Sequence, residues 1–119
     1  MHQQVDHQHI VDGNGNPAGG FSICRVTPTP GNSYDAIRVN WQKGPLVVDG
    51  KRIPPNGGFV EDVIAIALSR LEFYQSAGDG KFACDYNETA IIALEDALES
   101  LDARTTEREE RGVEGTHEI

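Results

Sequence analysis

Residues 85–110 read DYNETAIIALEDALESLDARTTEREE, and this stretch decides the architecture. Ile91, Leu94, Leu98 and Leu101 recur at 3–4–3 spacing, the narrow seam of a helix that packs on a partner. Asp85-x-x-Glu88 resembles a capping box with Asp in place of the usual Ser or Thr. The spacing therefore predicts a helix that begins near Asp85 or Asn87, persists to about Glu110 and stops before Gly112. Upstream, Phe59 to Ser76 carries a second helical pattern, with Val60, Val63, Ile64, Ala67, Leu68, Leu71 and Tyr74 on one face. Glu61 and Asp62 in its first turn complement the helix dipole, and Gly78 and Gly80 end it. Two amphipathic helices joined by a short loop form an antiparallel hairpin. Such a hairpin must cover its apolar faces with the front of the chain, with another copy, or with both.

The front half reads as β. Ile37, Val39 and Trp41 alternate with Arg38, Asn40 and Gln42, which marks a strand with one buried face. Asp49-Gly50, between Leu46-Val47-Val48 and Lys51-Arg52-Ile53, is a strong hairpin signal. Residues 1–20 are polar, and Gly13 to Gly20 is a loop by composition, flanked by short β segments at His9–Val11 and Phe21–Val26. Thr27–Tyr34 reads as a connector. The expectation is an α+β fold, a small N-terminal antiparallel β-sheet followed by a C-terminal antiparallel helical hairpin. It is read as one domain over 1–119: a Gly/Pro-rich extension at 1–35, a β-hairpin region at 36–55, the helical hairpin at 59–111 and a short polar tail at 112–119.

Composition narrows the function. A chain of 119 residues suits one compact domain with a thin core, for which oligomerisation is a common remedy. A net charge of −9 repels phosphate backbones and disfavours binding to nucleic acid polymers. The N-terminus lacks the basic start and apolar run of a signal peptide, and no apolar stretch is long enough to span a membrane. Cytosol is the default, with Cys24 and Cys84 reduced. No CxxC or Cys/His ligand spacing supports a zinc site.

The seam of the second helix carries the most information. Continued past Leu101 it reaches Thr105 and Arg108, with Arg104 on the same face, and continued back from Ile91 it reaches Asn87. An apolar stripe thus ends in two arginines and a hydroxyl. Forked guanidinium donors grip carboxylates or phosphates. Two readings stay open: local ion pairs, for which Arg104 has Glu107 three residues on, or a phosphate site. Asn87 and Arg104 lie roughly 26 Å apart along a helix, so no small ligand spans them within one chain. In an antiparallel dimer the arginine end of one helix can lie beside the Asn87 end of another. Aromatics near the turn (Phe73, Tyr74, Phe82) could there stack a base, although plain core packing is the alternative for each.

Other features point nowhere strongly. Asp12-Gly13-Asn14-Gly15-Asn16 has the start of a calcium loop, but Pro17 replaces its required glycine and Ile23 its bidentate acid. His2, His7 and His9 are scattered on a polar N-terminus. Asn56-Gly57-Gly58 before a helix could present N–H groups to an anion, or could simply need positive φ. There is no P-loop, nucleophile elbow or HExxH, and Cys84 has no evident base. A binding role is favoured over an enzymatic one, with no cofactor.

Several strings carry a resemblance: Gly44-Pro45, Asn56-Gly57, Glu61-Asp62-Val63-Ile64, Phe82-Ala83-Cys84-Asp85-Tyr86-Asn87-Glu88, Ala97-Leu98, and Arg104-Thr105-x-x-Arg108-Glu109 running into Arg111-Gly112-Val113-Glu114-Gly115-Thr116-His117-Glu118. Over residues 40–118 the chain resembles the small phage-encoded proteins of the Thoeris anti-defence family, type one, which share a helical hairpin with phage anti-CBASS sponges. The resemblance implies a non-enzymatic sponge in the cytoplasm of the infected bacterial host. Such a protein binds cyclic ADP-ribose isomers made by TIR-domain enzymes and keeps them from their effector. Some members also hold cyclic oligonucleotides at separate sites. It further implies dimers or hexamers with the ligand between subunits. Arg104 and Arg108 would grip the ligand, Asn87 would hydrogen-bond it, and Phe73 or Tyr74 would stack the adenine, with Phe82 a further candidate. Rival readings are a sponge for cyclic di- or trinucleotides and an accessory protein acting by protein–protein contact.

Overall fold

The computed structural model describes the backbone of residues 2–119 and the side chains of residues 3–119. The elements in order are β1 (His2–Val11), β2 (Pro17–Thr29), β3 (Asn32–Asn40), β4 (Val47–Val48), β5 (Lys51–Arg52), α1 (Val60–Gly80) and α2 (Asp85–Glu110). The arrangement is α+β, an antiparallel sheet followed by two helices. The chain forms two compact units: residues up to Phe59 together with Gly115–Ile119, and Val60–Glu114.

In the front unit, β1, β2 and β3 form a three-stranded antiparallel meander in that order. Opposed residues share a face, so the register makes the sheet two-sided. Val5, Cys24 and Ile37 stand in one row, with Val26 opposite Tyr34 in a neighbouring row of the same face. The other face sets charged side chains beside Phe21 and Ile23. Arg25 on the central strand reaches Asp6 Oδ2 at 2.9 Å and Asp35 Oδ1 at 3.1 Å, one acid from each flanking strand. These side chains are well exposed, so the trio contributes more to register than to stability.

The front unit holds more strand than expected. The loop thought to span Gly13–Gly20 is confined to the turn after β1, and Pro17–Gly20 already belong to β2. Asp12 builds that turn: its Oδ1 accepts the N–H groups of Asn14 at 2.8 Å and Asn16 at 3.0 Å. The bonds from Asn16 and then Asn14 hold its carboxyl below the usual carboxylate range. The expected connector Thr27–Tyr34 is instead the end of β2, a tight turn and the start of β3. The face of β3 is less covered than its alternation suggests, since Ile37 is exposed and Val39 only half-buried.

Asp49 and Gly50 join β4 to β5 with φ of 51° and 74°, the pair of positive values that a two-residue type I′ hairpin takes. Gly57 has a different reason to be glycine. Neither it nor Gly58 has positive φ, contrary to the expectation for this loop. A Cβ on Gly57 would lie 2.5 Å from the Trp41 carbonyl carbon, because the two backbones pass side by side. Asn56 fixes this passage by accepting from Lys43 N (2.7 Å) while its own N–H donates to Gln42 Oε1 (2.8 Å). The tail is not a loose polar end: the Gly115 carbonyl accepts from Leu46 N at 2.6 Å and Val47 N at 3.0 Å.

In the second unit α1 and α2 pack on each other. The regular part of α1 ends at Ser76, since Ala77, Gly78 and Asp79 leave helical φ/ψ. The N-cap of α2 is Cys84 rather than Asp85: its Sγ accepts from Asn87 N at 3.5 Å, which puts Asp85 and Glu88 in the first turn. Ile91 is 7% exposed, and Leu94, Leu98 and Leu101 are half-buried, as the seam predicts. On α1 Ile64, Leu68, Leu71 and Gln75 are half-buried in one register, while Val60, Val63, Ala67 and Tyr74 of the expected face are exposed. Ile66, off that face, is 71% exposed. Among the described residues no helix is long and apolar enough to cross a membrane.

Candidate functional site

The sequence-derived candidates fall into two groups at opposite ends of α2. Phe73 and Tyr74 lie in the last regular turn of α1, Phe82 in the link, and Asn87 in the first turn of α2. Arg104, Thr105 and Arg108 lie in the last two turns of α2. Along α2, roughly 26 Å separates Asn87 from Arg104 at 1.5 Å per residue. One chain therefore does not bring the two groups together.

At the arginine end the side chains are differently engaged. Arg104 is exposed and makes no ion pair or hydrogen bond among the described residues. Glu107, the acid in reach of it, pairs with Arg111 instead. Arg108 is half-buried, and its Nη2 donates to the Val113 carbonyl at 3.0 Å. Thr105 donates its hydroxyl back to Leu101 O at 3.2 Å, a local helix bond that leaves the oxygen lone pairs open.

At the other end the aromatics are exposed rather than packed as core. Phe73 is 51% and Phe82 57% exposed, and Phe73 and Tyr74 tilt against each other with centroids 6.1 Å apart. Arg70, which sequence reasoning passed over, lies 4.8 Å from the Phe73 centroid and 5.0 Å from that of Tyr74, and its Nε donates to Tyr74 Oη at 3.3 Å. Its i+3 and i+4 spacing to the two rings was the available signal. Lys81 sits similarly 5.1 Å from the Phe82 centroid.

Asn87 is tied into the link. Its Nδ2 donates to Gln75 Oε1 at 3.1 Å and to the Phe82 carbonyl at 3.4 Å. Gln75 also accepts from Cys84 N at 3.0 Å and donates to Cys84 O at 3.2 Å. Gln75 was the second residue missed; a polar side chain in the Ile64–Leu68–Leu71 register marked it.

The remaining candidates stay apart from this unit. His7 and His9 stack with centroids 4.3 Å apart on β1, and the side chain of His2 lies outside the described residues. Among the described residues no three His, Cys, Asp or Glu side chains gather as a metal-ligand group. Asp12, read from sequence as the opening of a defective calcium loop, spends its carboxylate on its own turn.

The two-helix hairpin thus bears arginines at one end of α2 and exposed aromatics near the other. No protein-family model matches the chain. Among curated proteins, Thoeris anti-defense 1 of Bacillus phage SBSphiJ7 is 48% identical over 80 residues, which are 67% of this chain and 51% of that protein. The chain belongs to the Thoeris anti-defence family, and it spans about half the length of this curated relative.

Proposed function

We propose that this chain is a phage anti-defence protein that binds a cyclic ADP-ribose isomer and holds it without chemical change, in a site shared by two copies. The observation that carries the reading is the state of Arg104. It is exposed, has no acidic partner among the described residues, and shares a helix face with Arg108 in a chain related to Thoeris anti-defense 1. Guanidinium forks of this kind suit a diphosphate. Phe73, Tyr74 or Phe82 stacks the adenine, Asn87 hydrogen-bonds it and Thr105 adds a hydroxyl. The distance along α2 is the reason for two copies, since the arginine end of one must meet the aromatic end of the other. Dimers or hexamers both satisfy that requirement, and the host cytoplasm is where such a signal would be met.

A sponge needs nanomolar affinity, about −12 kcal/mol. Stacking, bidentate bonds and a preorganised interface supply it against an overall charge of −9. Titration calorimetry against cyclic ADP-ribose isomers tests the reading, together with solution mass. Tight binding by an oligomer, with ligand recovered intact after heating the protein, is the expected result. A monomer that gives no heat with any isomer would sink it. Competition with cyclic di- and trinucleotides decides the ligand class.

A further inference from the structure

The geometry points to Gln75 as the residue that sets what Asn87 can recognise: it locks the Asn87 amide so that only a hydrogen-bond acceptor is left for ligand. The lock is unambiguous because it starts from backbone. Cys84 N can only donate and Cys84 O can only accept, so Gln75 must face them with Oε1 and Nε2 respectively, at 3.0 and 3.2 Å. Asn87 then meets two acceptors, Gln75 Oε1 and the Phe82 carbonyl, and must present Nδ2 to both. Both amide protons are engaged. Oδ1 has no partner among the described residues, yet it is not a buried unsatisfied atom of this half-buried side chain, so it reaches solvent.

An amide so fixed is blind to phosphate oxygens, which are acceptors, and selects a ligand donor, N–H or O–H. This deepens the proposed function and rests on it. The exposed rings of Phe73 and Phe82 stand at the same end of the hairpin as Asn87, so the group in question is on the edge of a stacked base. The exocyclic amino group of adenine is such a donor. Hypoxanthine offers a carbonyl there, and two acceptors would face each other at an unpaired site. Gln75 is a positioning residue: it touches Asn87, not the ligand.

The test compares two probes by calorimetry, a cyclic ADP-ribose isomer with a free adenine amino group and its hypoxanthine counterpart. The unmodified protein is expected to bind the hypoxanthine probe about tenfold or more weakly. Gln75→Leu removes the acceptor that orients the amide and should bring the two affinities together. Loss of helicity alone would not change the ratio. Should Gln75→Leu fail to fold, hydrogen exchange of the Asn87 side-chain amide in the unmodified protein reads the lock directly, and slow exchange of both protons is expected. Equal affinity for the two probes, or fast exchange, overturns the inference while leaving sequestration intact. Binding of neither probe overturns sequestration itself.

Discussion

The carboxylate of Glu107 grips Arg111, four residues along α2, and leaves Arg104, three residues before it, with no acidic partner among the described residues. That choice separates an arginine used to hold the helix end from one held in reserve. Arg104→Ala should therefore abolish binding of a cyclic ADP-ribose isomer while changing stability by no more than about 0.5 kcal/mol. Calorimetry paired with thermal unfolding reads both numbers on one sample.

Arg108 should behave differently. Its guanidinium holds the Val113 carbonyl where the chain leaves α2. Arg108→Ala loses that bond as well as a ligand contact, so roughly 1 kcal/mol of stability should go with the binding. Arg108→Lys retains the charge without the fork, and weak binding at near-normal stability is the expected outcome. A variant that keeps full affinity would remove Arg108 from the site.

The packing of α2 predicts a contrast between neighbours. Ile91 is buried and Ile92 is 51% exposed. Ile91→Ala should cost about 2–4 kcal/mol, and Ile92→Ala about 0.5 kcal/mol or less in the isolated chain. Denaturant unfolding at low protein concentration measures both. A large cost for Ile92→Ala that appears only at high concentration would place that residue in an interface between copies.

Gly57 tests the front unit. A methyl group there meets the Trp41 backbone, which cannot move like a side-chain tip. Gly57→Ala should destabilise by roughly 1–3 kcal/mol, read by urea unfolding followed through the single tryptophan.

Asp12 sets a pH dependence. Its carboxyl is held below the ordinary value of 3.8 by the N–H groups of Asn16 and Asn14. A depressed carboxylate pKa contributes stability that is fully present above the ordinary value and is lost as pH falls through the folded one. The difference in melting temperature between the natural protein and Asp12→Ala should thus be largest near neutrality and should shrink in acid below the ordinary value. A difference that stays constant across that window would show that Asp12 acts through packing alone.

The helices were legible because their apolar residues repeat at 3–4 spacing, and Asp49-Gly50 because a type I′ turn takes few other residue pairs. β1 was not. Its strand HQQVDHQHIV puts polar side chains on both faces, so no period of two betrays it. It is a strand because β2 pairs with it from His2 to Val11. Gly19 and Gly20 misled in the same way. They look like loop composition, yet Gly20 lies in a strand where a Cβ would strike the Gln8 carbonyl. At the site, the shared face of Arg104 and Arg108 follows from spacing. The partner each finds does not, because Glu107 could have turned either way along the helix. Gln75 was hidden for a related reason: its bonds run to a link whose path no periodicity describes.

The carbonyl of Gly115 binds two N–H groups at once, one of them on the buried Leu46, while Ile119 is 99% exposed. Removing Gly115 together with the four residues after it takes away that acceptor and leaves the end of α2 its bonds to Val113, so a version shortened to Glu114 would loosen first at Leu46 and Val47, far back in the chain, rather than in the helix it was cut beside.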